Sequence, residues 1–422
     1  MKRRNFLTSM ARAAAGLVGG SAVNTFMLPG AANANDPIRD ILSSSGHGAW
    51  NDQFDARRGD AKLSSTNIPI FSQQTPSFIE KGITEYQNIS INGGWPVVPA
   101  NKKLRLGVEH KNVKVLRRRL IVSGDLDASS GGSSIYDTWV DGAVKRFQAR
   151  HGLPADGVMG RYTFAALNIP ASVRLGQLET NLVRLRSMSG FLGDRYVMVN
   201  IPAAQIEAVE NGIVASRHTA IVGRITRQTP ILNSKIYELN LNPYWTAPVS
   251  IVKKDLIPLM QKDASYLTRN NIQMFAPDGT EIFPAAVDWN SEEAVNYRFR
   301  QKPGKINAMG SVKINFPNPH AVYMHDTPQQ SLFSRLMRFE SSGCVRVQNV
   351  RDLITWIAKD TPGWSRRAIE QVIETGERLD VKLATPVPVY FTYVTAWSTK
   401  DGVIQFRDDI YQRDGVAELS IK

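Results

Sequence analysis

Apolar positions follow a helical period between residues 104 and 168, and an alternating period of two from Tyr196 onward. Val113, Leu116 and Leu120 stand at i, i+3 and i+7, one face of a helix, and Val140, Val144 and Phe147 line a second. A polar Gly/Ser-rich loop at 125–134 separates them. Thr138-Trp139-Val140-Asp141 has capping-box spacing, with Asp where Glu is commoner, and places the helix cap on Thr138. Asp156-Gly157 reads as a turn, followed by a short helix through 163–167. Three short helices around a small core describe a binding module rather than a seat of catalysis. Residues 172–190 keep apolar spacing among Arg174, Arg184 and Arg186 and read as a helix linking this module to the rest.

Segments 205–209 and 213–219 flank Asn211-Gly212, a strong hairpin signal. Strands are also expected at 311–316, 321–325 and 389–395, and helices at 349–359 and 365–375. Residues 250–308 interrupt the strand pattern, and an insertion of that size between strands is commonly functional, often a lid. Residues 35–100 are broken by Pro, Gly, Ser and Asn around patterned pieces such as 78–89 and read as a scaffold or lead-in. The expected fold is α+β and multidomain: a three-helix module at 101–170, a linker helix at 171–190 and a β-rich catalytic unit at 191–422 with the lid at 250–308.

Composition narrows the class. The chain has 422 residues, enough for two or three domains, with 42% hydrophobic and 21% charged positions. The net charge is +13. Its basic residues are scattered rather than set beside aromatic platforms, which argues against nucleic acid as a partner. Lys2-Arg3-Arg4-Asn5-Phe6-Leu7 precedes a weakly apolar Ala/Gly-rich stretch and Ala32-Asn33-Ala34, a small-x-small site. This is the pattern of a removable export signal at 1–34, and the arginine pair resembles a twin-arginine signal. Removing the four cations of that segment leaves +9 on the remainder. No later stretch is long and apolar enough to span a bilayer, so the expected location is the periplasm.

Cys344 is the single cysteine of the sequence and has no internal disulfide partner. A lone cysteine is commonly an inert buried hydrophobe, but export to an oxidising compartment favours one kept for reactivity. Ser341-Ser342-Gly343-Cys344-Val345-Arg346 lies downstream of Tyr323-Met324-His325-Asp326. A cysteine nucleophile needs a base, and a histidine on a neighbouring strand supplies one. Gly343 permits a tight turn beside the thiol, the amides of Gly343 and Cys344 can face a developing oxyanion, and Arg346 can hold a carboxylate. There is no HExxH, no Cys/His cluster at ligand spacing and no phosphate-binding GxxxxGK[ST] loop, so neither a metal nor another cofactor is expected.

Two resemblances sharpen this. Asp141-Gly142-Ala143-Val144-Lys145-Arg146-Phe147-Gln148, His151-Gly152-Leu153, Asp156-Gly157-Val158-Met159-Gly160 and Ala166-Leu167-Asn168 resemble the peptidoglycan-binding module of cell-wall enzymes. Asn242-Pro243-Tyr244-Trp245, the run from Gln301 to Gly310, Phe316-Pro317-Asn318, the His325 segment and the Cys344 segment occur in the order of the L,D-transpeptidase family with a YkuD-type domain, in its YcbB-like branch. The resemblance implies attack by Cys344 on a peptidoglycan tetrapeptide, with His325 as base. Terminal D-alanine leaves, and a 3–3 cross-link forms or an envelope protein is attached through its amine. It also implies that Tyr323, Arg346, Ser342 and, more weakly, Trp245 line the substrate site. Ser342 departs from the family, which usually has histidine there. Hydrolysis by the same site (an L,D-carboxypeptidase) and a wall-binding protein with impaired catalysis stay open as alternatives.

Overall fold

The computed structural model describes residues 67–415, except Ser189 and Phe191. The expected export signal and the first part of the expected lead-in therefore lie outside the described residues. The helices are α1 (Thr75–Ile91), α2 (Lys111–Val122), α3 (Thr138–Arg150), α4 (Arg161–Asn168) and α5 (Ala171–Ser187). α2, α3 and α4 enclose a core of Leu116, Leu120, Val144, Phe147 and Leu167, all fully buried. The cap of α3 is Asp137, not Thr138: its carboxylate accepts from the Val140 amide at 3.1 Å and pairs with Arg117. A carboxylate that can do both displaces the weaker threonine cap by one residue.

What read as a lead-in is partly core. Ile70, Phe71, Ile79 and Tyr86, the last two on α1, are buried with Leu178 and Leu185 of α5. The same cluster takes in Trp397, Ile404 and Phe406 near the C-terminus. α5 is correspondingly a packed core helix rather than a tether.

The strands are β1 (Arg195–Asn200), β2 (Gln205–Glu210), β3 (Ile213–Gly223), β4 (Leu232–Leu241), β5 (Trp245–Thr246), β6 (Ile272–Phe275), β7 (Glu281–Ile282), β8 (Arg298–Gln301), β9 (Val312–Asn315), β10 (Met324–His325), β11 (Phe339–Ser341) and β12 (Val345–Val347). Helices α6 (Val350–Ile357) and α7 (Arg366–Thr375) follow, then β13 (Leu379–Thr392), β14 (Ala396–Ser398) and β15 (Ile404–Phe406). Nine strands form one mixed sheet in the order β11-β3-β12-β10-β9-β4-β13-β1-β2, and a further β2–β3 pairing closes it on itself. Its interior is packed with Val, Ile, Leu and Phe, capped by Leu353, Ile354 and Ile357 of α6 and Ile369 of α7.

Two strands differ from expectation. The strand at 321–325 shrinks to Met324–His325, because Ala321 has φ +52° and Asn318 bonds both the amide and the carbonyl of Val322. The strand at 389–395 starts ten residues earlier, at Leu379, and spans the sheet centre.

Between β4 and β9 the chain builds a second sheet, β5-β8-β6-β7. A helical run covers it: Val249–Ile251, a π-turn at Val252–Leu256, and Ile257–Lys262. This unit has its own core of Trp245, Val252, Leu256, Met260, Leu267, Met274 and Phe299. Its base is polar. Asn307, fully buried, donates to the carbonyls of Pro243 and Lys302, and Gln301 bonds the backbone of Asn270, Ile306 and Ala308.

Candidate active site

Strand alternation sorts the centre of the main sheet into two faces. β10 runs parallel to β12, with Met324 opposite Val345 and His325 opposite Arg346, and antiparallel to β9, with His325 opposite Lys313. Ile314, Met324 and Val345 point into the core and are fully buried. Lys313, Tyr323, His325, Cys344 and Arg346 take the other face. The Tyr323 and His325 rings lie 5.5 Å apart, edge to face, and Lys313 Nζ sits 4.7 Å from the Tyr323 ring centroid.

The turn before the cysteine is tied down from three sides. Gly343 has φ +112°, a region that favours glycine. Thr229 Oγ1 donates to its carbonyl at 2.9 Å and itself accepts from the Gly223 amide at 2.8 Å. Ser341 Oγ donates to the Cys344 carbonyl and accepts from the Gly343 amide at 3.2 Å. The Gly343 amide, expected to face an oxyanion, is therefore engaged. The Cys344 amide makes no hydrogen bond among the described residues.

His325 is buried, at 7% exposure. Its Nδ1 lies 2.5 Å from the Asp326 carbonyl, which requires the proton on Nδ1 and leaves Nε2 with a lone pair. Desolvation, then the Arg346 charge, push its pKa down to about 3; the Asp326 carbonyl opposes this, and Lys313 adds to it. The imidazole is neutral at pH 7. Asp326 is held in turn by the Ser311 amide and hydroxyl, each at 2.9 Å. Gly310 leaves room for it, since a Cβ there would come within 2.4 Å of Asp326 Oδ2.

Burial pushes the Cys344 thiol up, while hydrogen bonds from the Tyr323 amide and hydroxyl and the charges of Lys313 and Arg346 pull it down. The residue that acts most directly on the sulfur is Tyr323, and His325 is not among the groups that shift it. Thiol and imidazole thus share a face without yet exchanging a proton, a looseness common before substrate binds. The Tyr323 side chain packs against the core of the second unit, which includes Trp245, and burial keeps its hydroxyl protonated.

Arg346 Nη1 donates to Gln329 Oε1 at 2.8 Å. Ser342 is exposed, and its hydroxyl accepts from Arg227 Nη1 at 2.9 Å; Arg227 is also ion-paired with Asp255 on the π-turn. Lys313, Arg227, Thr229 and Ser341 were not singled out from the sequence. Alternation within 311–316 places Lys313 on one face with Asn315, but only the β9–β10 register brings it to His325. Nothing local marks Arg227 or Thr229. No group of three or more His, Cys, Asp or Glu among the described residues is arranged to hold a metal ion.

A buried neutral histidine, a thiol and two cations on one sheet face are groups that cysteine acyl-transfer chemistry can use. Residues 194–378 match the family described as "L,D-transpeptidase catalytic domain" (YkuD), and residues 109–167 match the "Putative peptidoglycan binding domain". The two matched segments are similar to a wall-binding domain and a catalytic domain, in that order along the chain. A "Putative L,D-transpeptidase" of Haemophilus influenzae is 34% identical over 245 residues, 58% of this chain and 49% of that protein. The chain thus spans about half the length of the curated relative it matches. Among solved structures, an L,D-transpeptidase from Mycobacterium smegmatis is 12% identical, covering 47% of this chain and 58% of that one, with a TM-score of 0.23. One from Xylanimonas cellulosilytica is 15% identical, covering 70% and 99%, with a TM-score of 0.22. At such scores the structural likeness carries no argument. β13, central to the sheet, lies beyond the matched segment.

Proposed function

We propose that this chain is an exported L,D-transpeptidase of the YcbB-like branch that acts on peptidoglycan tetrapeptide stems through a thioester on Cys344. The supporting observation is the shared face that holds Tyr323, His325, Cys344, Arg346 and Lys313 within a YkuD-family segment. In this reading Cys344 Sγ attacks the carbonyl between the L-centre of the third-position diamino acid and terminal D-alanine. The thiol proton passes to His325 Nε2, and the Cys344 amide faces the oxyanion. The resulting imidazolium protonates the departing D-alanine amine, leaving a thioester. An amine of a second stem then attacks, His325 takes its proton, and the peptide bond forms as the thiol is released. Lys313 and Arg346 lower the cost of negative charge on the sulfur as its proton leaves.

The 109–167 module would hold the wall polymer, and residues 245–301 would act as the lid. Export by the twin-arginine route to the periplasm fits this substrate, and no described helix is long and apolar enough to cross a membrane. Mass spectrometry of purified protein with disaccharide tetrapeptide tests the reaction. A cross-linked dimer that has lost one D-alanine is expected; a tripeptide would mean hydrolysis, and an unchanged substrate would refute both. A carbapenem, as an acyl-donor mimic, should add once to the wild type and not to Cys344→Ala by intact mass. An adduct on the variant would remove Cys344 as nucleophile.

A further inference from the structure

A second cleft, of about 310 Å³, lies where the lid sheet meets the polar face of the main sheet. Asn240, Thr246, Arg298, Arg300, Lys313 and Arg378 are among the residues lining it. Arg298 and Arg300 stand two apart on β8, and Thr246 pairs with Arg300, so these three share one face of the lid sheet. Phe299, Trp245 and Met274 take its other face, in the lid core. Lys313 comes from β9, beside His325.

The cleft gathers four cations, and the carboxylates that act on them, Glu238 and Asp380, lie on the side of Lys313 and Arg378. Arg378 is paired with Asp380. Among the described residues, Arg298, Arg300 and Lys313 have no carboxylate within ion-pair distance. All three lie instead over aromatic rings: Arg300 3.7 Å from the Tyr244 ring centroid, Arg298 5.3 Å from that of Phe275, and Lys313 4.7 Å from that of Tyr323. Stacking fixes the plane of a guanidinium and leaves its N–H edge free for a planar anion. Converging cations repel one another, and an anion between them relieves that repulsion. Lys313 links the cleft to the thiol's face of the sheet, since it lines the cleft while standing opposite His325 and over the Tyr323 ring.

We infer that this cleft is a carboxylate subsite of the catalytic centre, in which Arg298 and Arg300 hold a free carboxylate of the peptide whose carbonyl Cys344 attacks. The inference rests on the reading of Cys344 as a peptide-attacking nucleophile. It makes the lid sheet a specificity element that reads substrate charge rather than a passive cover.

The test uses the full chain, disaccharide tetrapeptide, and analogues in which each free carboxylate in turn is a carboxamide. Wild type should show a KM higher by about tenfold or more for one analogue, the size of a lost charge-assisted hydrogen bond. Arg298→Gln with Arg300→Gln should raise KM for the unmodified tetrapeptide about as much, leave kcat within roughly threefold, and no longer distinguish that analogue. Arg298→Lys with Arg300→Lys keeps both charges and should recover most of the KM. Alkylation of Cys344 by neutral iodoacetamide, unchanged within about twofold, reports that the Gln variant is folded around an intact thiol. If wild type turns over and the Gln variant has wild-type KM, or still discriminates the same analogue, the subsite is wrong and the nucleophile reading survives. If wild type leaves every peptide unchanged, the nucleophile reading itself falls and takes the subsite with it.

Discussion

The 109–167 module and the 245–301 unit are both small satellites with cores of their own, yet they are fastened to the main body in opposite ways. The module is joined through desolvated charge. Arg150, held inside the module by Asp125 at 2.7 and 2.6 Å, reaches across to the Ile404 carbonyl of β15, and Arg407 returns a bond to the Arg150 carbonyl. His151 stacks on Phe147 at 3.8 Å and on Phe406 at 5.4 Å. The second unit is joined near the thiol by half-solvated groups: the Arg227–Asp255 pair, with side chains 15% and 27% exposed, and the Arg227–Ser342 bond. Breaking a buried pair strands a charge, whereas breaking a half-solvated one lets water in. Damage at the module junction should therefore appear as lost stability, and damage at the lid junction as altered chemistry.

The largest expected effect comes at Arg150, which pairs with Asp125 inside the module and also bonds across the module junction. Arg150→Ala strands Asp125, whose side chain is 4% exposed, and should cost about 3–5 kcal/mol of unfolding free energy. Denaturant melts measure it, with thiol alkylation under native conditions unchanged. A loss below about 1 kcal/mol would mean that this junction is no tighter than the lid's.

Next comes the chemistry itself. His325→Ala should slow carbapenem acylation by roughly a hundredfold or more while near-ultraviolet circular dichroism stays native, as for loss of a general base. Acylation at the wild-type rate would mean another group takes the proton.

Acid should distinguish the two regions more gently. Burial, then the charges of Arg150 and Arg174, hold His151 well below its ordinary pKa, and His325 is held at about 3. In the unfolded chain both titrate near 6.5, so between the two values the unfolded state binds more protons. Stability is then fully present above pH 6.5 and falls with pH below it, by at most about 1.4 kcal/mol per pH unit for each histidine. His151→Phe should flatten that fall between pH 6.5 and 5 and leave acylation at pH 7 unchanged. His325→Ala should flatten the fall too, but at the cost of activity. An unchanged acid slope in His151→Phe would show that this ring is not held neutral.

The legible parts of this molecule were those encoded locally. Asn211-Gly212 announces its hairpin, apolar spacing gives α2 and α3, and the order of the segments around His325 and Cys344 carries the family resemblance. What stayed hidden depends on partners far along the chain. α1 buries Ile79 and Tyr86 against residues some three hundred positions away, so its own sequence reads only as a broken amphipathic stretch. Lys313 becomes part of the site through strand register, and Arg227 through a loop that ends beside Ser342. Thr229 touches the cysteine turn across a gap of 114 residues.

The smallest effect belongs to Ser342, where the family usually has histidine. Serine has one hydroxyl and no charge near pH 7, so it cannot stabilise a thiolate electrostatically. Its oxygen is turned to Arg227, whose other partner is Asp255, so its visible role is to complete the link between the cysteine turn and the lid. The carbonyls of Gly343 and Cys344 are held by Thr229 and Ser341 instead, so the turn does not depend on Ser342 for its shape. Ser342→Ala should therefore slow acylation by about tenfold or less, the size of one modest hydrogen bond, and leave the melting temperature nearly unchanged. Arg227→Ala, which removes both the hydrogen bond and the ion pair, should do at least as much. Ser342→His adds a ring at an exposed position and should be tolerated, with acylation close to wild type. Rates for all three, measured against His325→Ala, decide the point. Should Ser342→Ala prove as damaging as His325→Ala, the serine takes part in proton transfer, and the lid junction and the catalytic centre cannot be treated as separate regions.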